Sequence, residues 1–180
     1  MSEDWRVRVL FDETQIAKRN DEIAREIAAR KPKDLLVVAI LKGSFMFAAD
    51  LIRAMHRAGM APQVEFMHLS SYRAGTVSSG QVAILRDVDS DVNGKEVLLV
   101  DDILESGFTL SFAKQLLVER GARRVSICTL LDKPGKRRTA LVADFVGFEA
   151  GDEFLVGYGL DWAHRFRGLP YIGVVEKTAE

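Results

Sequence analysis

Residues 96–110, EVLLVDDILESGFTL, run four apolar side chains straight into two adjacent carboxylates and a short glycine-containing turn. A continuous apolar run of this length reads as a strand buried on both faces, the kind found inside parallel sheets. Such a strand delivers Asp101 and Asp102 to a sheet edge, after which Ser106, Gly107 and Thr109 make a turn and a helix begins. In open α/β sheets ligands bind in the crevice at the carboxyl ends of strands. Helix N-termini there accept anions through unpaired backbone N–H groups and the helix dipole. A phosphate and a hydroxyl-rich or metal-bound group can therefore meet at this point. The bland alternative is a strand that ends in a solvated acidic turn.

The rest of the chain supplies a sheet for that strand. Asp12 can cap a helix in which Ile16, Ile23 and Ile27 recur at helical spacing, with Pro32 marking its end. Residues 35–40 read as a buried strand, and 44–57 as a helix turning Phe47, Leu51 and Met55 inward. Residues 64–69 form a further strand, and the polar stretch 70–80 reads as a long mobile loop. Strands at 82–85 and 96–100 flank a turn containing Asn93-Gly94. A helix over 109–120, a stop at Gly121 and a strand over 125–131 complete a strand-helix-strand unit. This order predicts an α/β fold with a mostly parallel twisted sheet flanked by helices. Beyond Pro134 only short strand-like pieces remain, at 145–148, 154–156 and 172–175. No repeat, linker or low-complexity tract divides residues 1–180, so a single domain is expected.

Charge and cysteine usage exclude several classes. With 25 basic and 26 acidic side chains the net charge is −1, which gives no general attraction to nucleic acid or anionic membrane. The apolar runs are too short to span a bilayer, and the opening MSEDWRVRV lacks an export signal's apolar stretch, so the cytoplasm is the expected compartment. Cys128, the single cysteine, lies inside the apolar run 125–131 and reads as a packed core thiol. His56, His68 and His164 are scattered without metal-ligand spacing, and Trp5 and Trp162 read as packing residues. Lys133 to Arg138 carries four basic residues in six, which without interleaved aromatics reads as a solvated loop.

Neither G-x-x-x-x-G-K-[ST] nor G-x-G-x-x-G follows any apolar run. Residues 96–110 resemble instead the signature of the type I phosphoribosyltransferases, which bind phosphoribosyl pyrophosphate (PRPP). The resemblance implies that fold: a core of about 35–135 with a small hood formed from about 1–12 and 136–180. It implies that Asp101 and Asp102 hold the ribose hydroxyls, directly or through magnesium. Glu105, Ser106, Gly107, Phe108 and Thr109 complete the PRPP loop, whose turn wraps the 5′-phosphate. LKGSFMFAADL resembles the pyrophosphate loop of the purine-salvage branch, which assigns Lys42 and Gly43 to pyrophosphate and implies a cis peptide between Leu41 and Lys42. SSYRAGTVSSG matches a flexible cover over the reacting centre, with Ser71 and Tyr72 on the pyrophosphate side.

From about residue 35 to 175 the chain resembles the hypoxanthine-guanine phosphoribosyltransferases, most closely in DFVGFEAGDEFLVGYGLDWAHRFRGLPYIGVV. By that resemblance Phe154 stacks on a purine, the Leu155 backbone reads its edge, and Lys133 donates to its 6-oxo group. Asp161 lies on the purine side and helps hold a second magnesium, and Arg167 meets pyrophosphate. The roles are physically sensible, because an aromatic face suits a flat heterocycle and an ammonium distinguishes an oxo acceptor from an amino donor. The reaction implied is displacement of pyrophosphate from PRPP by a ring nitrogen of a 6-oxopurine, with Mg2+ as cofactor and Glu105 as general base. The family also implies a homodimer or homotetramer. The chain departs from the commonest pattern by carrying Glu105 for Asp and Asp101 for Glu, and Glu153 lies where some relatives carry Lys. A reading of a different class remains, because RNA-binding regulators of pyrimidine operons share the fold and retain the PRPP motif.

Overall fold

The computed structural model describes residues 5–74 and 77–177, with the side chains of 71–81 outside the described set. Its elements are β1 (Trp5–Phe11), α1 (Glu13–Ala29), β2 (Leu35–Leu41), α2 (Phe45–Arg57), β3 (Gln63–Ala74) and β4 (Val77–Arg86). They continue as β5 (Glu96–Leu104), α3 (Phe108–Glu119), β6 (Arg124–Asp132), β7 (Phe145–Glu149), β8 (Leu155–Val156) and β9 (Ile172–Lys177). Six strands form the central sheet in the order β4-β3-β2-β5-β6-β7, parallel except for β4. The apolar runs of β2 and β5 are neighbours at its centre, covered on both faces.

Alternate residues of these two strands feed opposite cores, as the pleat requires. On one face Val37, Ala39, Leu98 and Val100 pack with Ile16, Ile23 and Ile27 of α1 and with Phe47, Leu51 and Met55 of α2. On the other, Leu36, Val38 and Leu99 pack with Leu110, Ala113 and Leu117 of α3. Each fully buried aliphatic or aromatic side chain contributes roughly 1.5–3 kcal/mol before chain entropy is counted, so the centre of the sheet is the most rigid platform available. The Asp12 carboxylate accepts from Gln15 N–H (2.8 Å) while the Gln15 side chain accepts from Asp12 N–H (2.9 Å), starting α1 with a reciprocal cap.

Connectivity decides where a ligand can sit. From β2 the chain passes through α2 to β3 on one side, and from β5 through α3 to β6 on the other. The crevice between the carboxyl ends of β2 and β5 is therefore the topological switch point of the sheet.

Two expectations are corrected and one strand is added. The stretch 70–80 is not simply a loop, because β3 runs to Ala74 and β4 begins at Val77, paired antiparallel. A polar two-stranded ribbon buries little, so its composition imitates a loop. The N-terminal segment, with no strand predicted, forms β1 and pairs with β9, which in turn pairs with β8 in a separate three-stranded sheet. β7, inside the stretch assigned to the hood, is instead an edge strand of the central sheet, parallel to β6.

Candidate active site

The loop leaving β2 touches the carboxyl end of β5. A Cβ at Gly43 would lie 1.7 Å from Asp102 Oδ2, so the carboxylate rests on bare glycine backbone and no larger residue fits. The Leu41–Lys42 peptide is cis. Ser44 Oγ donates to the Ile40 carbonyl (2.5 Å), tying the loop back onto its strand, and the Lys42 side chain is exposed beside the crevice. A third segment closes the junction: a Cβ at Gly159, where φ is +103°, would lie 2.0 Å from the Gly43 carbonyl oxygen. The same Gly159 carbonyl accepts from Arg167 Nη1 (2.5 Å), and Arg167 Nη2 pairs with Asp161 Oδ1 (2.7 Å). Asp161 also accepts from His164 N–H (2.7 Å).

A cleft of about 790 Å³ opens at this junction, lined by Lys42, Gly43, Asp101, Asp102, Glu105, Ser106, Gly107 and Thr109 among others. Asp101 is buried (8 % exposed) and accepts from Asp102 N–H (3.0 Å). Burial, then the neighbouring Asp102 carboxylate, pushes the Asp101 carboxyl well above its ordinary range. Burial also raises Asp102, with the nearby Arg167 charge opposing the shift. Gly107, at φ +87°, turns the chain into α3, and Ser111 N–H makes the first intrahelical bond, to Gly107 C=O (2.9 Å). The N–H groups of Thr109 and Leu110 therefore lack helical acceptors, and that of Phe108 meets only Ser106 Oγ at 3.5 Å. This is a preformed anion seat beside a pair of carboxylates.

A second wall adjoins it through Glu105. Lys133 is 3 % exposed, and its ammonium donates to the Glu153 carbonyl (2.7 Å) and pairs with Glu105 Oε1 (3.2 Å). An ammonium has three donors, so one is left for a ligand acceptor. Lys136 Nζ lies 4.0 Å from the same Glu105 oxygen. Phe154 follows Glu153 and is 56 % exposed, unusual for a large aromatic ring. Its carbonyl accepts from Val175 N–H (3.2 Å), which makes Leu155, opposite Val174, a non-hydrogen-bonded pair of the ladder. The Leu155 N–H and C=O therefore point away from β9, on the free edge of the small sheet. Trp162 packs edge-on against Trp5, with ring centroids 5.0 Å apart, as expected of packing residues.

Comparison with known proteins agrees with this geometry. Residues 8–162 match the phosphoribosyl transferase domain family. The hypoxanthine phosphoribosyltransferase of Escherichia coli K12 is 45 % identical over 172 residues, covering 94 % of this chain and 95 % of that one. The hypoxanthine-guanine phosphoribosyltransferase of Bacillus subtilis is 44 % identical over 170 residues, covering 94 % and 93 %. A crystal structure of a Staphylococcus aureus hypoxanthine phosphoribosyltransferase superposes with a TM-score of 0.89 at 41 % identity, covering 94 % and 91 %. The chain belongs to the phosphoribosyltransferase family.

In this phosphoribosyltransferase the residues singled out by sequence fall into four neighbouring groups, of which Lys42, Gly43, Asp101, Asp102, Glu105, Ser106, Gly107 and Thr109 line the cleft. Lys42 and Gly43 meet Asp102. Glu105 to Thr109 form the anion seat, with Phe108 at the first position of α3. Lys133, Phe154 and Leu155 form a second wall joined to the seat at Glu105, and Asp161 and Arg167 join through Gly159. The Ser71 and Tyr72 side chains lie outside the described residues. Sequence reasoning missed the 134–138 segment, read as a solvated loop, yet Gly135, Lys136, Arg137 and Arg138 line the cleft. Arg137 in particular is an ion-paired partner of Asp132, a role that a run of basic residues does not announce.

The donor set also bears on the expected magnesium. Among the described residues no group of three or more His, Cys, Asp and Glu side chains is disposed to hold a metal. Magnesium is commonly held by one or two carboxylates together with substrate phosphates and water. The adjacent Asp101 and Asp102 carboxylates, both raised by burial and Asp101 further by the charge of Asp102, fit an ion that arrives with its substrate.

Proposed function

We propose that this protein transfers the phosphoribosyl group of PRPP to hypoxanthine, guanine or both, releasing pyrophosphate and forming the nucleoside monophosphate. The observation that carries the reading is the buried Lys133 ammonium, which joins Glu105 to the base wall and keeps one donor free. A 6-oxopurine offers the matching acceptor, whereas the 6-amino group of adenine presents another donor. Phe154 supplies a stacking face, and the outward Leu155 N–H and C=O read the edge of the ring.

The sugar and phosphates occupy the other wall. Asp101 and Asp102 take the ribose hydroxyls, the 106–109 turn takes the 5′-phosphate, and Lys42, Gly43 and Arg167 take the pyrophosphate. Asp101 and Asp102 would hold Mg2+ together with PRPP, and Asp161 would help hold a second ion; the metal would supply charge neutralisation for the departing pyrophosphate. Glu105 accepts the proton that the purine loses from its imidazole ring, and its pairing with Lys133 places that acceptor beside the residue that recognises the base. Lys42 and Arg167 stabilise the charge on the leaving group. Ser71 and Tyr72 on the β3–β4 ribbon belong to a cover that excludes water from the reacting carbon.

The RNA-binding reading gains no support from the basic run. Arg137, the centre of the basic run, is turned into the protein rather than presented to a partner. Product analysis after incubating PRPP and Mg2+ with hypoxanthine, guanine, xanthine, adenine or uracil tests the proposal. Nucleotide is expected from hypoxanthine or guanine. Product from uracil alone, or RNA retention on a filter without any product, would replace it.

A further inference from the structure

The anion seat depends on which way three consecutive peptides face. The Leu104 carbonyl accepts from Lys133 N–H (3.0 Å) and from Arg137 Nη2 (3.3 Å). The Glu105 carbonyl accepts from Arg137 Nε (2.9 Å). The Ser106 carbonyl accepts from Arg138 N–H (2.9 Å) and Thr139 Oγ1 (3.4 Å). All three carbonyls are drawn onto the 133–139 segment. In a trans peptide the C=O of one residue and the N–H of the next point in opposite directions. The N–H groups of Glu105, Ser106 and Gly107 therefore face away from that segment, and none has an acceptor among the described residues. Successive N–H groups turned the same way form a concave anion site, continuous here with the open N-terminus of α3.

Among the described residues Arg137 is the one side chain that holds two of these carbonyls at once. Its guanidinium also pairs with the Asp132 carboxylate at the end of β6 and donates to the Leu141 carbonyl, so four of its five N–H donors are committed within the protein. A Cβ at Gly107 would lie 3.2 Å from Arg137 Cδ and 2.2 Å from Thr139 Oγ1, so the clamp fits flush against the turn.

We infer that Arg137 is a positioning residue: it acts through the Leu104 and Glu105 carbonyls to hold the 104–107 backbone with its N–H groups toward the 5′-phosphate. The inference rests on the phosphoribosyl-transfer reading of the site. Lysine in its place is a single point of charge and cannot span both carbonyls and Asp132.

Calorimetric titration of the full chain with inosine monophosphate and with inosine separates this role from general stability, since the ligands differ only in the 5′-phosphate. For Arg137→Met the affinity for the monophosphate is expected to fall about 10- to 100-fold while that for inosine changes less than about twofold. Arg137→Lys is expected to lose at least about threefold in the same ratio, and it decides the matter if Arg137→Met fails to fold. An unchanged ratio in folded Arg137→Lys, or equal losses for both ligands, would overturn the role of Arg137 while wild type still prefers the monophosphate. A wild type without that preference would overturn the phosphoribosyl reading itself, and the positioning role with it.

Discussion

The two walls of the cleft solve the same problem by different means. The sugar-phosphate wall is built at the ends of β2 and β5 from short contiguous segments. Its donors are largely backbone N–H groups, and its acids come from one dipeptide. The base wall is assembled from Lys133 after β6, Phe154 just before and Leu155 on a two-residue strand, and a loop in which Tyr158, Ala163, His164 and Phe166 all adopt positive φ. On the proposed reading the first wall binds PRPP, which is common to transfer onto any base, so it can be rigid and generic, whereas the second selects one heterocycle through the Lys133 and Phe154 side chains and the Leu155 backbone. Glu105 belongs to the first wall by sequence and to the second by its contact with Lys133.

The sharpest way to break that division is at Glu105. Glu105→Gln is expected to lower kcat about 10²- to 10⁴-fold with KM values near wild type. Steady-state turnover within a few fold of wild type would leave the chemistry without this base. Gly43→Ala drives a methyl group into Asp102 and is expected to cost on the order of 10²-fold in kcat/KM for PRPP, with the purine KM little changed. If KM rises for purine as strongly as for PRPP, the walls are not separate. Lys133→Ala is expected to raise the hypoxanthine KM about 10-fold or more and to erode discrimination against adenine, leaving PRPP affinity alone.

The smallest effect concerns stability. Asp101→Asn is expected to stabilise the ligand-free protein by about 1 kcal/mol near neutral pH, because it removes a buried charge beside Asp102. The sign follows from the raised carboxyl. Wild type keeps its full stability below the ordinary carboxylate range and loses some as pH rises through the raised value. The advantage of the variant thus grows across that window and fades in acid. Thermal melts across pH, without and with PRPP and Mg2+, check it, since the same variant is expected to lose the stabilisation that ligand gives wild type.

The contrast between the walls also explains what could be read from sequence. Asp101 to Thr109 was legible because chemistry, turn and helix start are consecutive, and the switch point follows from the order of β2, β3, β5 and β6. The apolar runs announced the sheet, as did the helical spacing of Ile16, Ile23 and Ile27. Phe154, Asp161 and Arg167 became legible only through resemblance, since an isolated Phe, Asp or Arg carries no spacing signal. Arg137 was hidden because its partners, Leu104, Glu105 and Leu141, are backbone carbonyls, which sequence does not orient. The β3–β4 ribbon was missed because a polar pair of strands needs no apolar period, whereas β1 alternates Trp5, Val7 and Val9 with Arg6 and Arg8 and was legible as a strand.

Selection of a 6-oxopurine by Lys133 is the central claim, and the ratio of kcat/KM for hypoxanthine to that for adenine, with saturating PRPP and Mg2+, tests it most directly. The account predicts a ratio of about 10³ or more in wild type, falling steeply in Lys133→Ala. A wild-type ratio near unity, or one that Lys133→Ala leaves intact, would contradict it.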